Sequence, residues 1–103
     1  MAFTVVVEHK DGRVLVCPVG ELDLATGPVL ERVLESLVGG PPAIELDLTG
    51  ITFVDCAGLR PIRQARRRAS RSFTQVRLSE AQPKVQRVLQ LTGLDEPSAA
   101  VAR

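Results

Sequence analysis

The chain has 103 residues, 45% of them hydrophobic and 24% charged, with a formal net charge of +1, which suits a folded domain with one modest core. Near-neutral charge gives no whole-chain basis for binding nucleic acid or an anionic membrane. No apolar run approaches the ~20 residues that span a bilayer, and the opening "MAFTVVVEHK" lacks the pattern of a signal peptide. The expectation is a cytoplasmic protein in which Cys17 and Cys56 stay reduced.

Residues Phe3 to Val7 are β-branched or aromatic and predict a strand. The Asp11-Gly12 pair in "KDGR" predicts a tight hairpin turn into a second strand, Arg13 to Val19. Pro18 lacks an N–H, so this strand is expected to end there or to sit at an edge. "GELDLATGP" reads as a turn and a helix start, with Thr26 as cap and Pro28 in the first turn. Val29, Leu30, Val33, Leu34 and Leu37 recur at helical spacing, and "GGPP" at 39–42 stops the helix.

In "AIELDLTG", Ile44, Leu46 and Leu48 alternate with Glu45, Asp47 and Thr49, which predicts a strand with one wet face. A helix is expected from about Cys56 to Ser70, its apolar stripe made of Leu59, Ile62, Ala65 and Ala69. Pro61 falls inside it, at a cost of ~3 kcal/mol for an interior position. Either the first turn is kinked or the regular helix starts nearer Arg60. Phe73 to Leu78 reads as a further strand. Gln82 to Leu91 reads as a last helix with Pro83 in its first turn, Val85, Val88, Leu89 and Leu91 inward, and Gly93 as C-cap. The tail from 95 to 103 is weakly specified. The order β-β-α-β-α-β-α predicts an α/β single domain, a mixed sheet of about four strands with helices packed against it. Its third strand, second helix and fourth strand should form a parallel crossover unit.

Four features occur together: "GELD" at 20–23, "LDLTGITFVDCAGL" at 46–59, "QPKVQRVLQLTGL" at 82–94, and the strand–helix spacing between them. Together they resemble a STAS domain of the bacterial anti-sigma factor antagonist type, from about Val5 to Leu94. The resemblance implies a non-enzymatic module of a partner-switching system, with no cofactor, that frees a sigma factor by binding a serine-kinase anti-sigma factor. It implies a partner surface of Gly20, Glu21, Asp23, Asp55, Cys56, Ala57, Gly58 and Leu59. In that family the kinase phosphorylates a serine just after the aspartate, and the new charge spoils the contact surface. Gly58 would keep the backbone open to the partner.

This sequence departs from the pattern at that position. Cys56 stands where the phosphoserine is expected, and Ala57 follows, so neither offers a hydroxyl. Thr49, Thr52 and Ser70 are the nearby hydroxyls. Cys56 is open to three readings: a small semi-apolar filler, an oxidisable thiol that replaces phosphorylation, or a nucleophile. The last needs a general base, and the only histidine is His9, with no companion signal. Asp23 and Asp55 read as a turn acid and a helix N-cap, each worth about 1 kcal/mol. One histidine and no Cys/His spacing make no zinc site. Arg60, Arg63, Arg67 and Arg71 line one helix face, either as a solvated back or as a docking stripe. No interleaved aromatic residues favour nucleic acid. A scaffold role, or a site for a nucleotide or lipid, is the alternative function.

Overall fold

Two strands joined at Asp11–Gly12 open the chain. β1 (Thr4–Lys10) lies antiparallel to β2 (Arg13–Leu22), from Thr4 opposite Val19 to Lys10 opposite Arg13. The structure, a computed structural model, describes residues 2–95, so the predicted tail lies outside the described residues beyond Asp95. After β2 come α1 (Gly27–Leu37), β3 (Ala43–Leu48), β4 (Ile51–Val54), α2 (Cys56–Ala69), β5 (Gln75–Ala81) and α3 (Pro83–Thr92). The sheet order is β1-β2-β3-β5, with β4 also paired to β2. β3 runs parallel to both β2 and β5, as the crossover reading requires.

Among the described residues the sheet has five strands, where the sequence predicts about four. β3 pairs with Val14–Val16 of β2, and β4 takes over the far end of β2 at Gly20–Leu22. Ile51–Val54 escapes a pattern reading because only its two ends are buried, which breaks the alternation of a half-buried strand.

That change of partner also corrects the reading of Pro18. β2 continues through it to Leu22. A strand residue's N–H and C=O lie on the same edge, and the Pro18 carbonyl oxygen is turned to Gly50, 2.9 Å from where a Cβ would stand. The missing N–H therefore falls in the gap between β3 and β4, where no ladder bond needs it.

One face of the sheet carries the core. Val14, Val16 and Leu22 of β2, Ile44, Leu46 and Leu48 of β3, and Ile51 of β4 meet Leu30 and Leu34 of α1. From α2 come Leu59, Ile62, Ala65 and Ala69, and from α3 Val85 and Leu89. Burying a large aliphatic side chain contributes about 1.5–3 kcal/mol before entropy, so this cluster fixes the register of every element that follows.

Two local readings change and a third holds. Phe73 is fully exposed and precedes β5, while its neighbour Thr74 is buried, donating to the Pro41 carbonyl (2.7 Å) and accepting from the Gly39 N–H (2.9 Å). Leu91 is exposed because it falls off the α3 stripe, although Gly93 does end that helix at φ 76°. Helix α2 starts at Cys56, as its apolar stripe predicts, and not nearer Arg60. Its Pro61 is buried, with its ring 3.5 Å from where a Cβ on Gly27 would stand, so it packs the second helix onto the start of the first.

Candidate functional site

The carboxyl ends of the parallel strands β2 and β4 converge on the N-terminus of α2. Glu21 stands opposite Phe53 and Leu22 opposite Val54, with a bulge at Gly20/Glu21. Gly20 takes φ 121° there, a conformation that a side chain rarely adopts, and donates to the Gly50 carbonyl at 3.0 Å. The Asp55 N–H then donates to the Leu22 carbonyl at 3.3 Å, which ties the helix entry to the strand end.

Asp55 is the N-cap. Its backbone is extended (φ −121°, ψ −178°) and its carboxylate accepts from the Gly58 N–H at 2.8 Å. This satisfies one of the orphan amides of the first turn and holds Cys56 and Ala57 on the outside, both exposed.

Asp23 organises the neighbouring turn. Its Oδ1 accepts from the N–H groups of Ala25 and Thr26, each at 3.0 Å, while the Thr26 hydroxyl donates to the Glu21 carbonyl at 2.7 Å. The Thr26 N–H bond, more than any other contact, holds the Asp23 carboxyl below its ordinary pKa. Thr26 occupies the N-cap position of α1 as expected but makes no side-chain cap bond to that helix, so the acceptor at this entry is Asp23.

The predicted partner residues divide into two groups. Glu21, Cys56 and Ala57 are exposed, and Asp23 and Asp55 are half-buried. Gly20, Gly58 and Leu59 are buried, so none of them can offer a side chain to a partner. Gly58 faces inward: a Cβ on it would stand 2.0 Å from the Leu22 carbonyl oxygen and 3.0 Å from the Asp23 nitrogen. The glycine is needed because strand and helix backbones touch, which corrects the reading that it leaves room for a partner.

Residues 4–99 match the family model of the STAS domain. The chain belongs to the STAS domain family. An anti-sigma factor antagonist from Mycobacterium paratuberculosis is similar to it at 31% identity, with TM-score 0.77 over 91% of this chain and 80% of that one. A putative anti-sigma factor antagonist from Thermotoga maritima is 27% identical, with TM-score 0.80 over 88% of this chain and 80% of that one. A sulfate transporter family protein from Wolinella succinogenes shares the fold, at 16% identity and TM-score 0.71 over 84% of this chain and 70% of that one. No curated protein sequence matches the chain.

Two exposed apolar residues of this STAS domain escaped the sequence reading. Leu24 is 77% exposed and Phe53 49% exposed, both beside the Glu21–Asp55 junction. An apolar residue inside the otherwise polar turn "ELDLAT" was the available signal for Leu24. Leu24, Cys56 and Ala57 border an open depression of about 540 Å³ that continues to Arg60, Arg63 and Arg67.

Both cysteines are free thiols. Cys17 lies on the sheet face away from the helices, where burial first, and then the charges of Asp47, Glu8 and Glu45, push its thiol pKa up. Among the described residues no cluster of His, Cys, Asp or Glu could hold a metal, and no helix is long and apolar enough to cross a membrane.

Proposed function

We propose that this STAS domain is an anti-sigma factor antagonist-like binding module of a cytoplasmic partner-switching system, acting by contact and not by catalysis. Its partner is an anti-sigma factor of the serine-kinase type. The observation that carries this reading is the exposed Cys56–Ala57 pair, presented at the N-terminus of α2 by the Asp55 cap. The similarity to the mycobacterial antagonist, spread over nearly all of the chain, supports it. The contact surface comprises Glu21, Asp23, Asp55, Cys56 and Ala57, and Leu24 adds an apolar anchor. Gly20, Gly58 and Leu59 serve as the framework beneath it.

Cys56 occupies the phosphosite-equivalent position and cannot accept phosphate from a serine kinase, nor can Ala57. The module is therefore constitutively competent, or is controlled by another chemistry. A pocket for a small molecule buries most of its ligand, whereas the depression beside Cys56 is open. That favours a macromolecular partner over a nucleotide or lipid.

The test is reconstitution with a serine-kinase anti-sigma factor encoded in the same genome. The two proteins should co-elute in gel filtration, and after incubation with ATP no phosphate should map to residue 56. Cys56→Ser should fold as the parent does and gain phosphate at residue 56. Phosphate on Thr52, exposed in β4, would show that control has moved along the chain. Failure of every such kinase to bind would remove the antagonist reading.

A further inference from the structure

The six arginines between Arg60 and Arg71 do not share one role. Arg68 is paired with Glu35 of α1 at 2.9 Å. Arg66 is half-buried and donates to the Leu94 carbonyl, tying α2 to the end of α3. Arg60, Arg63, Arg67 and Arg71 are exposed, and among the described residues none of the four makes an ion pair. With its amide nitrogen toward Glu31 (2.6 Å), Gln64 accepts from the Arg60 Nε at 3.2 Å and lays that side chain along the helix. Positions 60, 63 and 67 are neighbours on one helical face, about 10 Å from first to last. A second open hollow, of about 200 Å³, carries the same face on to Arg71.

We infer that this arginine ladder is a docking strip for an acidic helix or loop of a protein partner, anchored at one end by an apolar side chain of the partner set against Leu24, Cys56 and Ala57. Charge complementarity selects the occupant. Guanidinium groups pair with carboxylates in a planar, two-bonded geometry. Among the described residues none of the four has a carboxylate paired with it, which leaves that capacity open to a partner. A nucleic acid or an anionic bilayer fits less well. The depression ends on Leu24, Cys56 and Ala57, where a continuous polyanion would meet no cation, whereas a protein can match both an apolar end and a charged strip. The only aromatic residues of the chain are three phenylalanines, and none lines the groove to stack a base. The inference rests on the antagonist reading for the identity of the partner, but the ladder itself can be read without it.

The probe is a helical peptide of about 20 residues, with glutamates at i, i+4, i+7 and i+11 and a leucine at one end, titrated into ¹⁵N-labelled protein. The expected shifts cluster at Leu24, Ala57, Arg60, Arg63 and Arg67. Affinity should fall about tenfold or more between roughly 50 and 500 mM salt, since screening acts strongly on exposed charges. Arg63→Glu with Arg67→Glu should weaken the peptide by about 30-fold or more. Arg77→Glu with Arg87→Glu, exposed positions on β5 and α3, should change it by less than about twofold. Unchanged circular dichroism separates lost docking from lost fold. Binding of duplex DNA or of phosphatidylserine vesicles in place of the peptide would overturn the proposal, as would no binding of any of the three. If the kinase-type anti-sigma factor binds the parent and the Arg63/Arg67 reversal equally, the ladder is refuted and the antagonist reading stands. If the peptide follows the ladder while no kinase binds, the antagonist reading falls and the ladder stands.

Discussion

A Cβ on Gly58 would lie 2.0 Å from the carbonyl oxygen of Leu22, a distance that real carbon–oxygen contacts do not reach. The same carbonyl accepts the N–H of Asp55 at 3.3 Å, so it cannot turn away without releasing the entry to α2. The last residues of β2 and the first turn of α2 are therefore one rigid unit, and the exposed residues of both are held at fixed separation.

Gly58→Ala should destabilise the chain by about 3 kcal/mol or more, at the upper end of overpacking effects, because the Leu22 carbonyl is backbone and not a movable side chain. Denaturant unfolding followed by circular dichroism measures this. A loss below about 1 kcal/mol would mean that helix and strand can separate cheaply.

The cap next to it is a softer contact. Asp55→Ala removes the acceptor for the Gly58 N–H and should cost about 1 kcal/mol. Asp55→Asn should cost less, since it keeps an acceptor oxygen. Thermal melts at neutral pH compare the two. Asn no better than Ala would remove the hydrogen bond as the reason for Asp55.

How far these contacts can be foreseen differs between neighbouring residues. The α2 stripe of Leu59, Ile62, Ala65 and Ala69 is fully buried as its spacing predicts, and β3 alternates as "AIELDL" does, because both faces of those elements meet a uniform environment. Asp55 as N-cap was equally legible, since a cap acts within three residues. Pro18 and Gly58 were misread because their roles depend on a second segment. Pro18 fits where β2 changes partner, and Gly58 is required by the Leu22 carbonyl, neither of which local sequence encodes. Leu24 was overlooked for a similar reason: burial is decided by what packs above a turn, and nothing does.

Asp23 links the site to pH. Its carboxyl pKa is lowered in the folded chain, first by the Thr26 N–H and also by the Thr26 hydroxyl and the Ala25 N–H. A depressed folded value means that the carboxylate stabilises the fold above the ordinary carboxylate range of about 4. That contribution is lost as pH falls through the folded value. Melting temperature should therefore drop on acidification from about pH 5 to about pH 2, and Asp23→Asn should show a shallower drop over the same interval. Parallel curves for the two proteins would assign the acid sensitivity to other groups.

The two thiols should differ in reactivity. Cys56 is exposed at a helix N-terminus, whereas Cys17 is half-buried and its thiol pKa is raised by burial and by the carboxylates around it. Iodoacetamide at about pH 8 should label Cys56 at least tenfold faster than Cys17, since the thiolate is the reacting form. Peptide mapping at partial labelling gives the ratio. Equal rates would contradict the placement of Cys17 on a sheltered sheet face.

The central claim is that the N-terminus of α2 is the partner surface, and charge placed at residue 56 tests it most directly. Cys56→Asp adds a carboxylate next to Asp55 in a spot that a partner would desolvate, and like charges brought together there cost several kcal/mol. Titration calorimetry against the kinase-type anti-sigma factor should show affinity lower by about 100-fold or more on the scale of 1.4 kcal/mol per decade. Cys56→Ala, which removes only a small exposed side chain, should stay within about threefold of the parent. If Cys56→Asp binds as tightly as the parent, the contact surface lies elsewhere on the domain.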